Sequence, residues 1–204
     1  MERLKILIVE DSEADLVLMV REMRRGGLVF DYLCIQTEED YLQALSEFQP
    51  DLIVADLKLP VFDGFTALTL ARERCPSVPF VFVSGAVREE DIIETLKKGA
   101  TDYVSKDRMF RLVPVVERAL QESKLLEEHR RIEEEIRESE RRFRQLAENI
   151  REVFFMVTPG IEKVLYVSPA YEKIYGRSCK SLYENPRSWA EAIHPEDRRR
   201  VLSA

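Results

Sequence analysis

An α/β fold is predicted, a five-stranded parallel sheet wound on both faces by helices in the flavodoxin-like manner, and three observations predict it. Short, almost continuously apolar runs recur up to about residue 122, helical patterns fall between them, and glycines or Asp-Gly steps mark the junctions. Continuous apolar character means a strand buried on both faces, and strand–helix alternation means right-handed crossovers between parallel neighbours.

Each element follows in order. LKILIVE (4–10) is the first strand, and the helix after it closes on Gly26-Gly27. VFDYLCI (29–35) and DLIVA (51–55) are the second and third strands. Asp63-Gly64 turns into the third helix, PFVFVS (79–84) is the fourth strand, and Lys98-Gly99 ends the fourth helix. DYVS (102–105) is the fifth strand, with a fifth helix expected from near Met109.

That fifth helix runs on. Between Val113 and Ile150 the only proline is Pro114, in the first turn, and there is no glycine. Leu125, His129, Ile132, Ile136, Ser139, Phe143, Leu146 and Ile150 follow the alternating four-three spacing of a heptad seam, and six of these eight are apolar, which predicts a helical linker over 123–150 that pairs two chains. In a parallel pair Glu128 would face Glu133 of the second copy and Glu135 would face Glu140, so the linker is expected to be marginal, able to loosen or rotate. The opposing reading is a solvated connector helix. After Ile150, VFFMVT and KVLYVS read as a hairpin around Pro159-Gly160, followed by short helices in PAYEKIYG and SCKSLYEN and a helix start at His194-Pro195. Two strands and short helices do not close a core, so the segment 151–204 reads as part of a domain.

Composition narrows the function. Of 204 residues, 34% are charged with a net charge of −7, and no basic cluster with interleaved aromatics is present, which argues against nucleic-acid binding. No apolar run reaches membrane-spanning length and no signal-peptide pattern opens the chain, so no membrane association and a cytoplasmic location are expected. Cys34, Cys75 and Cys179 are odd in number and far apart, the pattern of reduced thiols rather than disulfides or a zinc site.

In an open parallel sheet, functional groups gather at the carboxyl ends of the strands. Here the first strand ends in Glu10-Asp11, the third in Asp56, the fourth in Ser84 and the fifth in Ser105-Lys106. Clustered carboxylates repel unless a cation neutralises them, and hard oxygen donors suit Mg²⁺. The expected division of labour makes Asp56 a nucleophile toward phosphorus and Glu10 and Asp11 holders of the metal. Lys106 and the Ser84 hydroxyl would stabilise the phosphoryl oxygens.

IVEDSEAD, DLKLPVFDG, VFVSGA and KKGATDYVSKD resemble, in order and spacing, the receiver domain of two-component response regulators over residues 1–122. The resemblance implies that Asp56 is the phosphoacceptor, supplied by a sensor histidine kinase or a phosphotransfer protein. It makes Glu10 and Asp11 the acidic pair, Ser84 and Lys106 the site hydroxyl and lysine, Tyr103 the switch aromatic, and the Lys58 backbone carbonyl a further Mg²⁺ ligand. The implied chain is a phosphorelay module rather than an enzyme. Receivers usually carry a proline after the lysine, joined by a cis bond, where this chain has Asp107. Lys58 and Ala86, at the positions that orient a hydrolytic water, offer neither carboxylate nor amide, so a long-lived phosphoryl group is expected. ESERRFRQLAENI, VFFMVT, VLYVSPAYEKIYGRS and HPEDRRRV resemble the first half of a PAS sensory domain, for which no haem, flavin or metabolite is assigned.

Other readings are an aspartyl-phosphate hydrolase of the haloacid dehalogenase type, a receiver used only for docking, and a histidine kinase phosphorylated on His129. The hydrolase wants an aspartate two residues after the nucleophile, where Lys58 stands. The kinase wants a Gly-rich ATP-binding segment, which the sequence lacks.

Overall fold

The computed structural model of the chain describes residues 3–85, 89–159, 162–188, 193–194, 196–197 and 200. It has two compact units, Met1–Arg130 and Arg131–Ala204.

In the first unit the elements are β1 (Leu4–Val9), α1 (Glu13–Arg25), β2 (Phe30–Ile35), α2 (Glu38–Glu47), β3 (Leu52–Ala55), α3 (Gly64–Arg74), β4 (Phe80–Ser84), α4 (Glu89–Lys97) and β5 (Asp102–Ser105). The strands form one parallel sheet in the order β2-β1-β3-β4-β5. The alternation of strand residues explains why the runs are continuously apolar. Ile6, Ile8, Leu52, Val54, Val81 and Val83 face Met19 and Met23 of α1, while Leu7, Val9, Ile53, Ala55, Phe80 and Phe82 face Tyr41 of α2 and Ala67 and Leu68 of α3.

One expectation is corrected after β5. Lys106–Arg111 forms a 3-10 turn, and the long helix α5 begins at Leu112 and runs to Asn149. Leu112, Val115, Val116, Ala119 and Leu120 pack α5 onto the core beside α1. Beyond them every seam position is exposed, from Leu125 to Ile150, the residue just past the end of the helix.

Local chemistry starts the helices. Ser12, Thr37 and Asp63 cap α1, α2 and α3 by accepting from the N–H groups of Asp15, Asp40 and Thr66. Away from the carboxyl edge of the sheet, Arg72 on α3 donates to the carbonyls of Gly99 (2.9 Å), Pro76 (3.2 Å) and Val78 (2.8 Å), which ties the end of α4 to the entry of β4.

The second unit contains the antiparallel pair β6 (Phe155–Val157) and β7 (Val164–Val167), then α6 (Ala170–Tyr175) and α7 (Cys179–Glu184). Gly176 ends α6 at a φ of 66°, a left-handed conformation natural to glycine. Val164, Val167, Tyr171 and Leu182 form its small core. Phe143, a predicted seam residue, meets the ring of Tyr166 edge-on at 5.0 Å, so part of its apolar surface is used inside this unit. Gly160 of the expected turn, and Pro195 with most of the helix expected after His194, lie outside the described residues, although Glu196, Asp197 and Arg200 are helical. Among the described residues no helix is long and apolar enough to cross a membrane.

Candidate functional site

The sheet reverses its strand order between β1 and β3, and the residues that leave those two strands meet at that edge. Asp56 follows β3, held in line by its N–H bonding the Val9 carbonyl at 3.0 Å. Its carboxylate is buried. Oδ1 accepts from the Ser84 hydroxyl at 2.6 Å and from the Lys58 N–H at 3.0 Å, and Oδ2 accepts from Lys106 Nζ at 2.6 Å. Ser84 and Ser105 are paired neighbours on β4 and β5, so Lys106 leaves the sheet beside the end of β4.

The Lys106 ammonium also donates to Glu10 Oε2 at 2.9 Å and to Asp15 Oδ2 at 2.6 Å. Glu10 is buried, and its Oε1 accepts from the Ser12 N–H at 3.0 Å. Burial alone would lower the lysine's proton affinity, but hydrogen bonds to Asp15, Asp56 and Glu10 outweigh it and hold the ammonium well above the usual lysine range. Burial likewise pushes the Asp56 carboxyl up, yet the hydrogen bonds from Lys106, Ser84 and the Lys58 N–H prevail, and it sits below the ordinary carboxylate range. For Glu10 burial wins over Lys106 and Ser12, and its pKa is raised. Asp56 is therefore the better-stabilised anion of the two.

Every strand-end residue named from the sequence is placed by the fold, though not all of them join one network. Asp56, Ser84, Lys106 and Glu10 are hydrogen-bonded together. Asp11, beside Glu10 and exposed, takes no part in those bonds. Lys58 enters through its N–H. The Tyr103 hydroxyl donates between the carbonyls of Ser84 and Gly85, 3.2 Å from each, directly behind the site hydroxyl. The peptide from Lys106 to Asp107 is trans. Ala86 lies outside the described residues.

The sequence pattern does not mark Asp15 as a site residue. Ser12-x-x-Asp15 signals a capped helix start, and the cap is there, but the same spacing says nothing of a lysine 91 residues away.

The donor chemistry fits a hard divalent cation, since the Glu10 and Asp56 carboxylates converge on one cationic group and Asp11 stands next to Glu10 in the chain. Among the described residues no three His, Cys, Asp or Glu side chains are already arranged as a metal cage. The Lys106 ammonium stands between the Glu10, Asp15 and Asp56 carboxylates.

The family described as response regulator receiver domain matches residues 6–116. The chain belongs to that family. A second description, PAS fold, matches residues 164–204. The receiver is 37% identical over 119 residues to protein-glutamate methylesterase/protein-glutamine glutaminase 6 of Anaeromyxobacter dehalogenans, a match covering 58% of this chain and 33% of that protein. It is 31% identical over 102 residues to the alkaline phosphatase synthesis transcriptional regulatory protein PhoP of Bacillus subtilis, covering 50% of this chain and 42% of that one. The chain thus matches about a third to a half of the length of such curated relatives. Among solved structures, the signal receiver domain of a putative LuxO repressor from Vibrio parahaemolyticus superposes with a TM-score of 0.56 at 25% identity, over 62% of this chain and 96% of that one. NtrX from Brucella abortus gives 0.57 at 27% identity, over 64% of this chain and 29% of that one.

Proposed function

We propose that Asp56 accepts a phosphoryl group from a sensor histidine kinase or a phosphotransfer protein, and that the chain is a signalling module rather than an enzyme acting on a separate substrate. The observation that carries this reading is the buried Asp56 carboxylate, kept ionised by Ser84, Lys106 and the Lys58 N–H. A carboxylate held below its ordinary pKa is in its nucleophilic form at neutral pH. One of its oxygens attacks phosphorus, the bond from phosphorus to the donor's leaving atom breaks, and the leaving group departs with the electron pair. Lys106 and Ser84 stand 2.6 Å from that carboxylate, close enough to pass their hydrogen bonds to the new phosphoryl oxygens.

Glu10, Asp11, Asp56 and the Lys58 carbonyl are the residues that would hold Mg²⁺, which receivers conventionally bind at this site. When bound, the ion neutralises phosphoryl charge. Tyr103 acts as the reporter: with its hydroxyl on the Ser84 carbonyl, it senses any inward shift of Ser84 toward a phosphoryl group. The division of labour is receiver 1–122, helical linker 123–150 and PAS-like segment 151–204. The linker pairs two chains through residues 125–150 and carries the change toward the PAS-like part and an output.

The test uses acetyl phosphate with Mg²⁺ and intact-mass measurement. Wild type should gain the mass of one phosphate and Asp56→Asn none. Labelling of Asp56→Asn at the wild-type rate would mean that another residue is the acceptor, and no labelling of wild type under kinase or small donor would leave a docking receiver.

A further inference from the structure

We propose that Asp15 is a positioning residue for the phosphoryl-transfer step, the carboxylate that keeps the Lys106 ammonium at Asp56 while the other two partners of that ammonium change theirs. The proposal rests on the reading of Asp56 as phosphoacceptor.

A lysine ammonium has three N–H donors and no acceptor. Here all three are used, on Glu10 Oε2, Asp15 Oδ2 and Asp56 Oδ2. Two of those acceptors are committed elsewhere during the reaction. Glu10 and Asp56 are candidate cation ligands, and Asp56 in addition becomes the phosphorylated group. A lysine losing both would keep Asp15 alone as an acceptor on the chain, and without Asp15 it would be a flexible four-carbon stem with no fixed partner. Asp15 has no such second duty, and its bond at 2.6 Å is among the two shortest the ammonium makes.

The backbone keeps Asp15 in place independently of the lysine. Its N–H donates to the Ser12 hydroxyl at 3.3 Å in the first turn of α1, where the helix dipole favours an anion. The Ser12 N–H meanwhile holds Glu10 Oε1 at 3.0 Å. One residue, Ser12, therefore sets the two carboxylates that flank the ammonium from the β1–α1 side. The Asp15 side chain is one-third exposed, against the fully buried Glu10, so it can follow the lysine without disturbing the core.

Two measurements on the full chain test this. The first uses Mg²⁺ alone and nitrogen-15 NMR of lysine side chains, with Lys106→Arg identifying the Lys106 signal. At saturating Mg²⁺ the wild-type ammonium should stay slow to exchange with water. Asp15→Ala should speed that exchange about tenfold or more, and Asp15→Asn, which keeps an acceptor oxygen, should largely restore it. Unchanged exchange in Asp15→Ala overturns the proposal, whether or not Asp56 takes phosphate.

The second measures labelling by acetyl phosphate. Asp15→Ala should slow it about tenfold at saturating Mg²⁺ and donor, with Asn again restoring most of the rate. Against a Lys106→Met background, Asp15→Ala should have no further effect, a silence that general loss of structure does not produce. A wild-type rate in Asp15→Ala, or an additional slowing in the Lys106→Met background, overturns the proposal. Failure of the wild-type chain to label instead removes the phosphoacceptor reading and leaves the exchange measurement to decide the role of Asp15.

Discussion

Asp56 and Glu10 are two buried carboxylates on the same ammonium whose pKa values move apart. The difference lies in their other partners: Asp56 accepts from a hydroxyl and a backbone N–H as well, Glu10 from one backbone N–H only. This gives stability a defined pH dependence. A carboxyl whose native pKa is depressed contributes stability fully present above its unfolded value, about 3.9 for aspartate, and that contribution is lost as pH falls through the native value. Without Mg²⁺, the stability of wild type relative to Asp56→Asn should therefore decline as pH falls below about 5 and on through the depressed native value. Glu10 runs in the opposite sense, and because the Asp56 charge itself helps to raise it, Glu10 offsets part of that decline rather than cancelling from the difference. Urea midpoints across that range check this, and a difference that does not move with pH would show that Asp56 is not held as an anion.

The elements show what the sequence could and could not announce. All five strands of the sheet were legible because double-faced burial demands unbroken apolar runs, and β5 was found at its expected bounds. KDRMFR has no proline or glycine to mark a tighter turn, and Arg108 leaves helical geometry without any compositional sign, so α5 starts at Leu112 rather than near Met109. Asp56, Ser84, Glu10 and Lys106 were legible as strand ends, whereas Asp15 belongs to a helix and meets its partner only through the tertiary fold. The β3–α3 connection carries a sharper constraint. A Cβ on Gly64 would lie 2.4 Å from the Asp56 carbonyl oxygen and 3.0 Å from Leu57 Cα, both backbone atoms that cannot swing aside. Gly64→Ala should therefore cost about 1–3 kcal/mol and shift Asp56 enough to slow its labelling. Thermal unfolding and labelling rate measured together check this, and an unaltered midpoint would show that the connection yields.

At the scale of the molecule, α5 has two characters in one uninterrupted helix, core-bound as far as Leu120 and exposed along the seam after it. Leu125, Ile132, Ile136 and Leu146 each expose about half or more of their surface, an apolar stripe that a second copy would cover. With the three native cysteines replaced, Leu125→Cys and Ile136→Cys should each crosslink rapidly to their own copies if the pair is parallel. An antiparallel pair would leave residue 125 far from its counterpart. A monomeric mass with no crosslink at either position would restore the solvated connector.

The same helix has an unequal backbone along its length. Its first turns are fixed by the receiver core and Ala147 near its end is buried, while ion pairs such as Arg131–Glu135 and Arg142–Glu138 join one turn of the middle to the next. Each such pair contributes only about 0.2–0.5 kcal/mol and is weakened by salt. In a single chain, ionic strength therefore acts as a dial on fraying: the backbone amides of the middle turns lose protection first as salt rises, while the turns rooted in the receiver hold.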